Sequence, residues 1–421
     1  MQLTPMCFFV SMSIYTRVVS CAARGSPFLA SQFLTVACKL SHVETKIHTL
    51  GSQQTDRFHI SSDLKDDLWH ADAHEGAYEW WYFDALRDDG REAVVIIFLA
   101  NFIFSPRYNR AAAASLQQRA ISSAEISKAV QFPAVAVCFY RDGRPVWRAI
   151  NEYAAADFAA SRAHPECRIG QSSFRLETAR GGKRFAITLD EQLRRGRRLR
   201  GTFVWEIAEG DLLPAAAEEL AGQSFHSWNL VAPRCRVSGS YIIVGRDHRQ
   251  IEERVFAGVG YHDHNRDTRW LPAAVRSWQW GRAHFAGMTV VFYLYQEIAD
   301  TAPLPRLCLM QHNALNAPAA NFKAADFRRH HFGIRYPHAL TFAFKHEDQR
   351  AMLQVRQQRV IDGSYFYLRF LADAQLELSD GRTLHAPAIT EQLAPRALRW
   401  RWLDWLTDMR IGKHGRGSFL P

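Results

Sequence analysis

From about residue 60, the chain is a succession of short apolar segments separated by turn-forming dipeptides. Clear examples of these dipeptides are Asp89-Gly90, Asp142-Gly143, Gly181-Gly182 and Asp380-Gly381. The apolar segments include residues 93–104, 134–140, 185–189, 201–207, 289–295 and 340–344, and they are rich in Val, Ile and aromatic residues. This alternation is typical of β-hairpins, since the dipeptides tolerate the positive φ angles of tight turns. It predicts an all-β fold of antiparallel sheets that close into barrels or sandwiches.

A weak internal repeat indicates two similar domains. The motif at 81–83, Gly90 and the apolar segment at 93–95 correspond in order to the motif at 278–280, Gly287 and the segment at 290–292. We therefore predict an N-terminal β-domain at 59–222 and a C-terminal β-domain at 223–394. The Ala- and Glu-rich stretch at 209–224 would divide them. Residues 1–58 are poor in acidic residues and rich in Ser, and we expect a leader or disordered extension there.

The C-terminal segment has helical rather than strand periodicity. Its apolar residues recur at helical spacing, as Leu398, Trp402, Trp405, Leu406 and Met409. This pattern predicts an amphipathic helix at 395–412. Two interpretations stay open: the helix docks onto the wall of a barrel, or residues 396–410 rest on a membrane interface with tryptophan at headgroup level.

Charge and cysteine content exclude some classes of function. The formal net charge is +10, but Lys and Arg are dispersed apart from an arginine-rich run at 194–200, and no nucleic-acid recognition module accompanies that run. We therefore expect no nucleic-acid partner, whereas a basic surface suits anionic lipid. The 7 cysteines include no C-x-x-C pair, which argues against a disulfide framework or zinc knuckle. We expect a cytoplasmic location, either free or peripheral on the inner face of the membrane.

The segment GVGYHDHNRD at 258–267 is dense in side chains that could perform chemistry. In an extended strand, Tyr261, Asp263 and Asn265 share one face, while His262 and His264 share the other. The two histidines have a spacing found in metal sites. A metal ion needs a third and usually a fourth ligand, however, and the neighbouring sequence does not clearly supply them. We therefore predict no metal site.

The opposite face of the same segment could deliver a proton. A carboxyl group that faces an apolar barrel lumen is destabilised as an anion, so its pKa rises and Asp263 can stay protonated near neutral pH. Tyr261 and Asn265 would then orient the carboxyl group. In the alternative interpretation, Asp263 and Asn265 only cap the turn that follows the strand.

Two further segments place polar and aromatic side chains together. In FHSW at 225–228, alternation puts His226 and Trp228 on one face. In EWWYFD at 79–84, it separates Trp80 from Trp81, so that one of them lines an interior. Core packing is an equally good explanation for each of these aromatic residues.

Several common catalytic signatures are absent from the sequence. The chain has no G-x-S-x-G elbow, no P-loop, no dinucleotide fingerprint in a βαβ context and no H-E-x-x-H motif. Acyl transfer, hydride transfer and metal-dependent hydrolysis therefore lack the residues that they require.

Taken in order, five segments of the chain resemble the carotenoid 1,2-hydratase family, also called hydroxyneurosporene synthases. They are YEWWYFDALRDDG at 78–90, FSPRYNRA at 104–111, HSWNLVAPRCRV at 226–237, GYHDHN at 260–265 and WQWGRAHF at 278–285. The resemblance covers roughly residues 65–412. It implies two tandem lipocalin-like β-barrel domains, in agreement with the hairpin pattern.

The resemblance also implies a reaction, namely the cofactor-free hydration of the terminal C1=C2 double bond of an acyclic carotenoid. The family's H-x-W and Y-x-D elements correspond here to His226 with Trp228 and to Tyr261 with Asp263. The chain departs from the family pattern at His262, His264, Arg266 and Asp267, which puts the identity of the substrate in doubt.

The mechanism implied by the resemblance has Asp263 as acid, Trp228 and Tyr261 facing the cation, and His226 receiving a proton from water. The residues expected to bind substrate are Trp80, Trp81, Asn265, Trp278 and Trp280. Two alternatives stay open: an isoprenoid or polyketide cyclase of the same superfamily, and a non-catalytic lipid- or pigment-binding barrel.

Overall fold

The structure is a computed structural model that describes residues 58–72, 74, 76–119, 131–213, 226–347, 349–413 and 416–419. The predicted leader lies outside the described residues except for Phe58, which already belongs to the first strand. Most of the Ala- and Glu-rich stretch predicted to divide two domains also lies outside them.

Among the described residues, strands dominate and helices are short. The strands are β1 (Phe58–Ser61), β2 (Tyr78–Leu86), β3 (Glu92–Leu99), β4 (Ala134–Arg141), β5 (Arg144–Glu152), β6 (Phe158–Ala160), β7 (Glu166–Ile169), β8 (Ser172–Ala179), β9 (Gly182–Gln192), β10 (Arg198–Glu209), β11 (His226–Val244), β12 (Gln250–Asp267), β13 (Val275–Phe285), β14 (Met288–Glu297), β15 (Leu304–Gln311), β16 (Ala314–Asn316), β17 (Ala320–Arg329), β18 (Arg335–His346), β19 (Gln349–Gly363), β20 (Tyr367–Glu377), β21 (Thr383–Leu393) and β22 (Gly412–Lys413). The α-helices are α1 (Pro106–Arg119), α2 (Leu271–Ala274) and α3 (Asp404–Asp408). Single 3₁₀ turns lie at Leu64–Asp66, Ala155–Asp157, Arg194–Gly196, Pro395–Arg399 and Arg401–Leu403.

The described strands form two sheets. The 13-stranded sheet runs β22-β5-β4-β3-β2-β12-β11-β10-β9-β8-β7-β6, with β1 added parallel to β11. The 9-stranded sheet runs β16-β15-β14-β13-β21-β20-β19-β18-β17. Gly90, Gly143, Gly182 and Gly381 all have positive φ angles in turns that join antiparallel strands, as the turn dipeptides predict. The all-β prediction is confirmed.

Strands β11 and β12 belong to the first sheet, although the predicted division at 222/223 assigns them to the second domain. The reason is that β12 pairs with β2 from Val259 to Asp267, which ties these residues to the N-terminal half. The chain passes to the second sheet only after Asp267, through the short helix α2.

Each sheet has an apolar core of its own, and a third core lies between the sheets. Residues of β2 and of β13 contact one another in this third core. The ring of Trp80 lies 6.1 Å from that of Trp278, and the ring of Tyr82 lies 5.3 Å from that of Trp280. The two hairpins that the internal repeat relates, β2–β3 and β13–β14, are therefore in face-to-face contact.

The predicted strand at 93–104 is too long, because β3 ends at Leu99 and α1 begins at Pro106. The Ser105 hydroxyl group accepts hydrogen bonds from the backbone N–H groups of Arg107 and Tyr108, at 3.2 and 3.4 Å. This is the N-cap arrangement that starts a helix, and Pro at the first helical position adds to it. The hairpin pattern of the sequence does not predict this helix.

The predicted continuous helix at 395–412 is wrong in detail. The segment forms two 3₁₀ turns and the short helix α3, because Trp400 has a non-helical backbone (φ −81°, ψ 83°). Leu398 is buried against the core between the sheets, whereas Trp402 and Trp405 are 71% and 59% exposed. Among the described residues, no helix has the length and apolar character needed to cross a membrane.

We expect the substitution Gly260→Ala in β12 to destabilise the fold. A Cβ atom at this position would lie 2.6 Å from the Asp84 carbonyl oxygen and 2.7 Å from Trp205 Nε1. Relieving that overlap should lower the free energy of unfolding by about 1–3 kcal/mol. Gly181→Ala is the matched control, since nothing lies within 4 Å of its added Cβ. Denaturant unfolding of both variants measures the effect, and equal stability would contradict the expectation.

Candidate active site

The pairing of β2 with β12 sets which side chains face the second sheet. Asp263 lies opposite Tyr82, Asn265 opposite Trp80, and Tyr261 opposite Asp84. Cross-strand partners share a face, so all of these side chains point into the space between the sheets. The predicted alternation is confirmed, but the site lies between two sheets rather than in a barrel lumen.

The carboxyl group of Asp263 is buried and held by hydrogen bonds from three side chains. Its Oδ2 atom accepts from the Tyr261 hydroxyl group at 2.7 Å and from Trp228 Nε1 at 2.9 Å. Its Oδ1 atom accepts from Asn265 Nδ2 at 2.9 Å. Only 4% of Asp263 is exposed, and no arginine or lysine in the described residues forms an ion pair with it. The structure thus joins four of the predicted site residues directly.

Burial raises the pKa of Asp263 to about 7. The hydrogen bonds from Trp228 and Tyr261 oppose this shift because they favour the anion, and the nearby charges of Glu391 and Asp84 reinforce it. A carboxyl group with this pKa is partly protonated near neutral pH, so it can act as a proton donor there.

His226 lies in the same core but does not contact Asp263 directly. Its Nδ1 atom lies 3.3 Å from the Tyr78 hydroxyl group, and its Nε2 atom lies 3.4 Å from that of Tyr293. Complete burial lowers the pKa of His226 to about 3, so the imidazole is neutral at neutral pH. The Tyr78 hydroxyl group also lies 3.5 Å from Asp267 Oδ2; in the tautomer in which Tyr78 donates to Asp267 and accepts from Nδ1–H, Nε2 is the basic nitrogen.

Aromatic rings surround this pair of functional groups. Trp228 lies 5.0 Å from Tyr293, and Trp280 lies 5.3 Å from Tyr261, measured between ring centroids. Phe58, at the end of the predicted leader, packs against both His226 and Trp228, at 5.4 and 6.2 Å. Electron-rich faces thus line the space beside the carboxyl group.

Trp81 does not belong to this group, although the sequence analysis includes it among the substrate-binding residues. It lies on the opposite face of β2, where it stacks on His264 at 4.8 Å and packs against Phe174 at 5.5 Å. The period of two along a strand sends Trp80 and Trp81 in opposite directions. Trp81 is therefore part of the core of the first sheet.

An apolar cavity adjoins the site. It is lined by Trp80, Tyr82 and several aliphatic residues of β3 from the first sheet, by Trp278 from the second sheet and by Phe366 just before β20. Its wall also contains charged residues, namely Arg148, Asp362, Arg369, Glu391 and Arg410. Trp80 and Tyr82 form the part of its wall nearest Asp263, since β12 pairs with β2 at these positions. The cavity continues to Thr407 and Ile411 in the C-terminal segment.

The sequence analysis missed an ion pair that spans the two sheets. Arg282 Nε donates to Asp84 Oδ1 at 2.9 Å, and the Tyr82 hydroxyl group donates to Asp84 Oδ2 at 3.0 Å. Both charged residues are almost completely buried. Alternation in β13 could have indicated this role for Arg282, because it shares a face with Trp278 and Trp280.

Comparison with known proteins is consistent with this geometry. The chain is 25% identical to a hydroxyneurosporene dehydrogenase of Chlorobaculum tepidum over 86% of this chain and 94% of that protein. It is 27% identical to an acyclic carotenoid 1,2-hydratase of Rubrivivax gelatinosus over 53% of this chain and 50% of that protein. The crystal structure of an AttH protein from Nitrosomonas europaea superimposes with a TM-score of 0.53 and 15% identity, covering 78% of this chain and 95% of that one, and shares the fold.

The match to a family gives the classification. The sequence profile of the family described as carotenoid hydratase CrtC matches residues 96–419, about three quarters of the chain. That range contains the strands that carry Asp263, His226 and Trp228. The chain therefore belongs to the carotenoid hydratase family and is an enzyme of the hydro-lyase class.

Proposed function

We propose that the chain hydrates the terminal C1=C2 double bond of an acyclic carotenoid by acid catalysis, with no cofactor. The observation that carries this proposal is the buried Asp263 carboxyl group, which is held by three neutral donors and has no cationic partner among the described residues. The name of the Rubrivivax relative, an acyclic carotenoid 1,2-hydratase, supports the same reaction and the same position of the double bond.

The first step is transfer of the Asp263 proton to C2, which leaves a tertiary cation at C1. Oδ2 already accepts hydrogen bonds from Tyr261 and Trp228, whereas Oδ1 accepts only the one from Asn265. The proton is therefore best placed on Oδ1. Once the proton has left, the same three donors stabilise the carboxylate, so the interactions strengthen as charge develops.

The aromatic rings beside Asp263 would stabilise the cation. A cation over a desolvated ring gains roughly 2 kcal/mol, and Trp228 and Trp280 lie close enough to contribute. General acid catalysis contributes about 10²–10⁴ in rate, equivalent to roughly 3–5 kcal/mol. The acid is thus the larger effect, and the rings mainly protect the cation from premature capture.

Water then adds to C1, and His226 receives the released proton. Protonated His226, with a pKa of about 3, is a stronger acid than Asp263, with a pKa of about 7. Proton transfer from His226 to the Asp263 carboxylate is therefore favourable. The proton therefore returns to Asp263 and restores the resting state. The sum of the steps is addition of one water molecule across the double bond.

The apolar cavity between the sheets is the proposed site for the polyene. Its lining includes Tyr82, the cross-strand partner of Asp263, but not Asp263 itself, so we infer that side chains of this wall move as the terminal isoprene unit enters. The substrate would then extend toward Thr407 and Ile411, at the C-terminal segment.

We further propose that the C-terminal segment contacts an anionic membrane surface from which the carotenoid is taken. Trp400, Trp402 and Trp405 are 53–71% exposed, beside the exposed Arg396 and Arg401. Tryptophan prefers the headgroup region of a bilayer, and arginine is attracted by anionic lipid. The same segment ends at the cavity, so the contact would bring the cavity to the membrane.

The first test is Asp263→Asn, which keeps the shape of the side chain but removes its proton. In bacteria that accumulate neurosporene or lycopene, and with purified enzyme, we expect at least about a 10²-fold loss of hydrated product. Mass spectrometry identifies that product by the added mass of one water molecule.

The matched control is Glu191→Gln. Burial also raises the pKa of Glu191 to about 7, but its partners are Ser172 on β8, Asn151 on β5 and Tyr153 just after β5, all within the first sheet's part of the structure. Activity should survive in this variant. Full turnover by Asp263→Asn would remove Asp263 as the acid.

The same assays separate the other candidate reactions. Loss of two hydrogens would indicate a dehydrogenase, as the Chlorobaculum relative is named. A new product of unchanged mass would indicate a cyclase, and unchanged pigment that copurifies with the protein would indicate a carrier.

The raised pKa of Asp263 also predicts how stability depends on pH. Its ordinary pKa is 3.8, so between about pH 4 and pH 7 the folded state binds more protons at this group than the unfolded state does. The contribution of Asp263 to the free energy of unfolding therefore falls as pH rises through this window. Denaturant unfolding at several pH values should show that the free energy of unfolding falls less steeply with pH in Asp263→Asn than in the unaltered protein. Identical pH profiles for the two proteins would mean that the carboxyl group titrates normally.

The membrane proposal predicts that the double variant Trp402→Ser/Trp405→Ser binds anionic vesicles about 30-fold more weakly, since partial burial of each indole is worth about 1 kcal/mol. Sedimentation with phosphatidylglycerol vesicles measures this. The control is Phe327→Ser, an exposed aromatic residue on β17. Equal binding by all three proteins would rule out this contact surface.

A further inference from the structure

A cluster of histidine and carboxylate side chains lies on the face of β2 and β12 that points away from Asp263. Glu79 comes from β2 and His264 from β12, while His70 comes from the segment before β2. One ligand atom from each of these residues lies within 4.8 Å of the other two. The function proposed above makes no use of this cluster.

The inner atoms of the cluster converge on one oxygen. Glu79 Oε1 lies 2.8 Å from His70 Nδ1 and 2.9 Å from His264 Nε2. The outer nitrogens also face carboxylates: His70 Nε2 lies 3.2 Å from Asp66 Oδ1, and His264 Nδ1 lies 3.2 Å from Asp67 Oδ1. Each imidazole ring is thus placed between two acceptors.

Two arrangements satisfy these contacts. A neutral imidazole has one N–H group and cannot donate to acceptors at both nitrogens, so each ring either carries a second proton or binds a cation through its inner nitrogen. A divalent cation among the three inner atoms would bind their lone pairs and leave the outer N–H groups to donate to Asp66 and Asp67. Histidine ligands of metal ions almost always donate their other ring N–H to a carboxylate or carbonyl group in this way.

We propose that His70, Glu79 and His264 bind a zinc ion, with Asp66 and Asp67 orienting the two histidines. Two imidazoles and one carboxylate are a ligand set that zinc binds readily, with water completing a tetrahedron. Tetrahedral zinc needs ligand atoms about 3.3 Å apart, so the two contacts of Glu79 Oε1 would each widen by a few tenths of an ångström. The two histidine nitrogens, which lie within 4.8 Å of one another, would adjust to the same separation. The side chain of His70 is 20% exposed, which gives the ion a route from solvent.

The site would be structural rather than catalytic. It joins the segment that precedes β2 to the strand that carries the proton donor, since His264 is adjacent to Asp263 in β12. Asp263 faces the opposite side of the sheet, so the ion would not touch the reacting atoms. Bound zinc should therefore raise thermal stability, and the proposal does not depend on the identity of the substrate.

The test is zinc binding to the purified full-length chain after chelator treatment and dialysis. We expect one zinc ion per chain by elemental analysis and titration calorimetry, together with a higher melting temperature. Cobalt(II) should bind at the same site and give the visible absorption of tetrahedral coordination. The variants His70→Gln and Glu79→Gln should each lose at least about 100-fold in zinc affinity. His164→Gln changes an exposed histidine in the loop between β6 and β7 and should bind zinc as the unaltered chain does.

Asp66→Asn separates a metal site from an ordinary hydrogen-bond network. Weakening the partner of His70 should lower zinc affinity by about 10–100-fold, because the histidine is then less well oriented. A network without metal would give no zinc signal to change. Absence of stoichiometric zinc, or zinc binding that is unaltered in both His70→Gln and Glu79→Gln, would overturn the proposal. Circular dichroism of each variant confirms that a lost signal is not lost folding.

Discussion

The antiparallel pairing of β2 with β12 is the constraint on which the rest of the structure depends. It joins strands far apart in sequence and fixes their register from Leu86 opposite Val259 to Tyr78 opposite Asp267. A shift of one residue would exchange the two faces. Asp263 would then point into the core of the first sheet, and His264 would point between the sheets.

Burial of charge between the sheets is compensated in two different ways. Asp84 and Arg282 neutralise one another across the interface, and Glu391 pairs with Arg369 at 2.8 Å. Asp263 has neutral donors instead, and burial therefore acts on it without an opposing cation. Unpaired burial is costly for an anion, and that cost is what keeps a proton on the group near neutral pH. Asp84 and Asp263 thus lie on one interface with different partners, and Asp263, which has neutral donors, is the residue that we propose as the acid.

Much of the local structure could be predicted from the sequence because it follows from short-range rules. The turn dipeptides located hairpins correctly, and alternation assigned Tyr261, Asp263 and Asn265 to one face. The same rules gave wrong predictions where contacts between distant segments determine the local conformation. Periodicity at 398–409 predicted one helix, but the burial of Leu398 against the core and the bend at Trp400 divide the segment. The sequence analysis predicts no element at Pro106–Arg119, where the Ser105 side chain and Pro106 start helix α1.

By itself, the sequence determined the class of fold and the strand face that Tyr261, Asp263 and Asn265 occupy, while the family resemblance associated Trp228 and His226 with them. Strand alternation and turn formation depend on a few neighbouring residues, so the amino-acid sequence alone is enough to recognise them. Only the tertiary structure decided which strands meet. It placed β11 and β12 in the first sheet, brought Phe58 against His226 and Trp228, and joined His70 and Glu79 to His264. These contacts depend on packing between segments distant in sequence, for which no local pattern provides a signal.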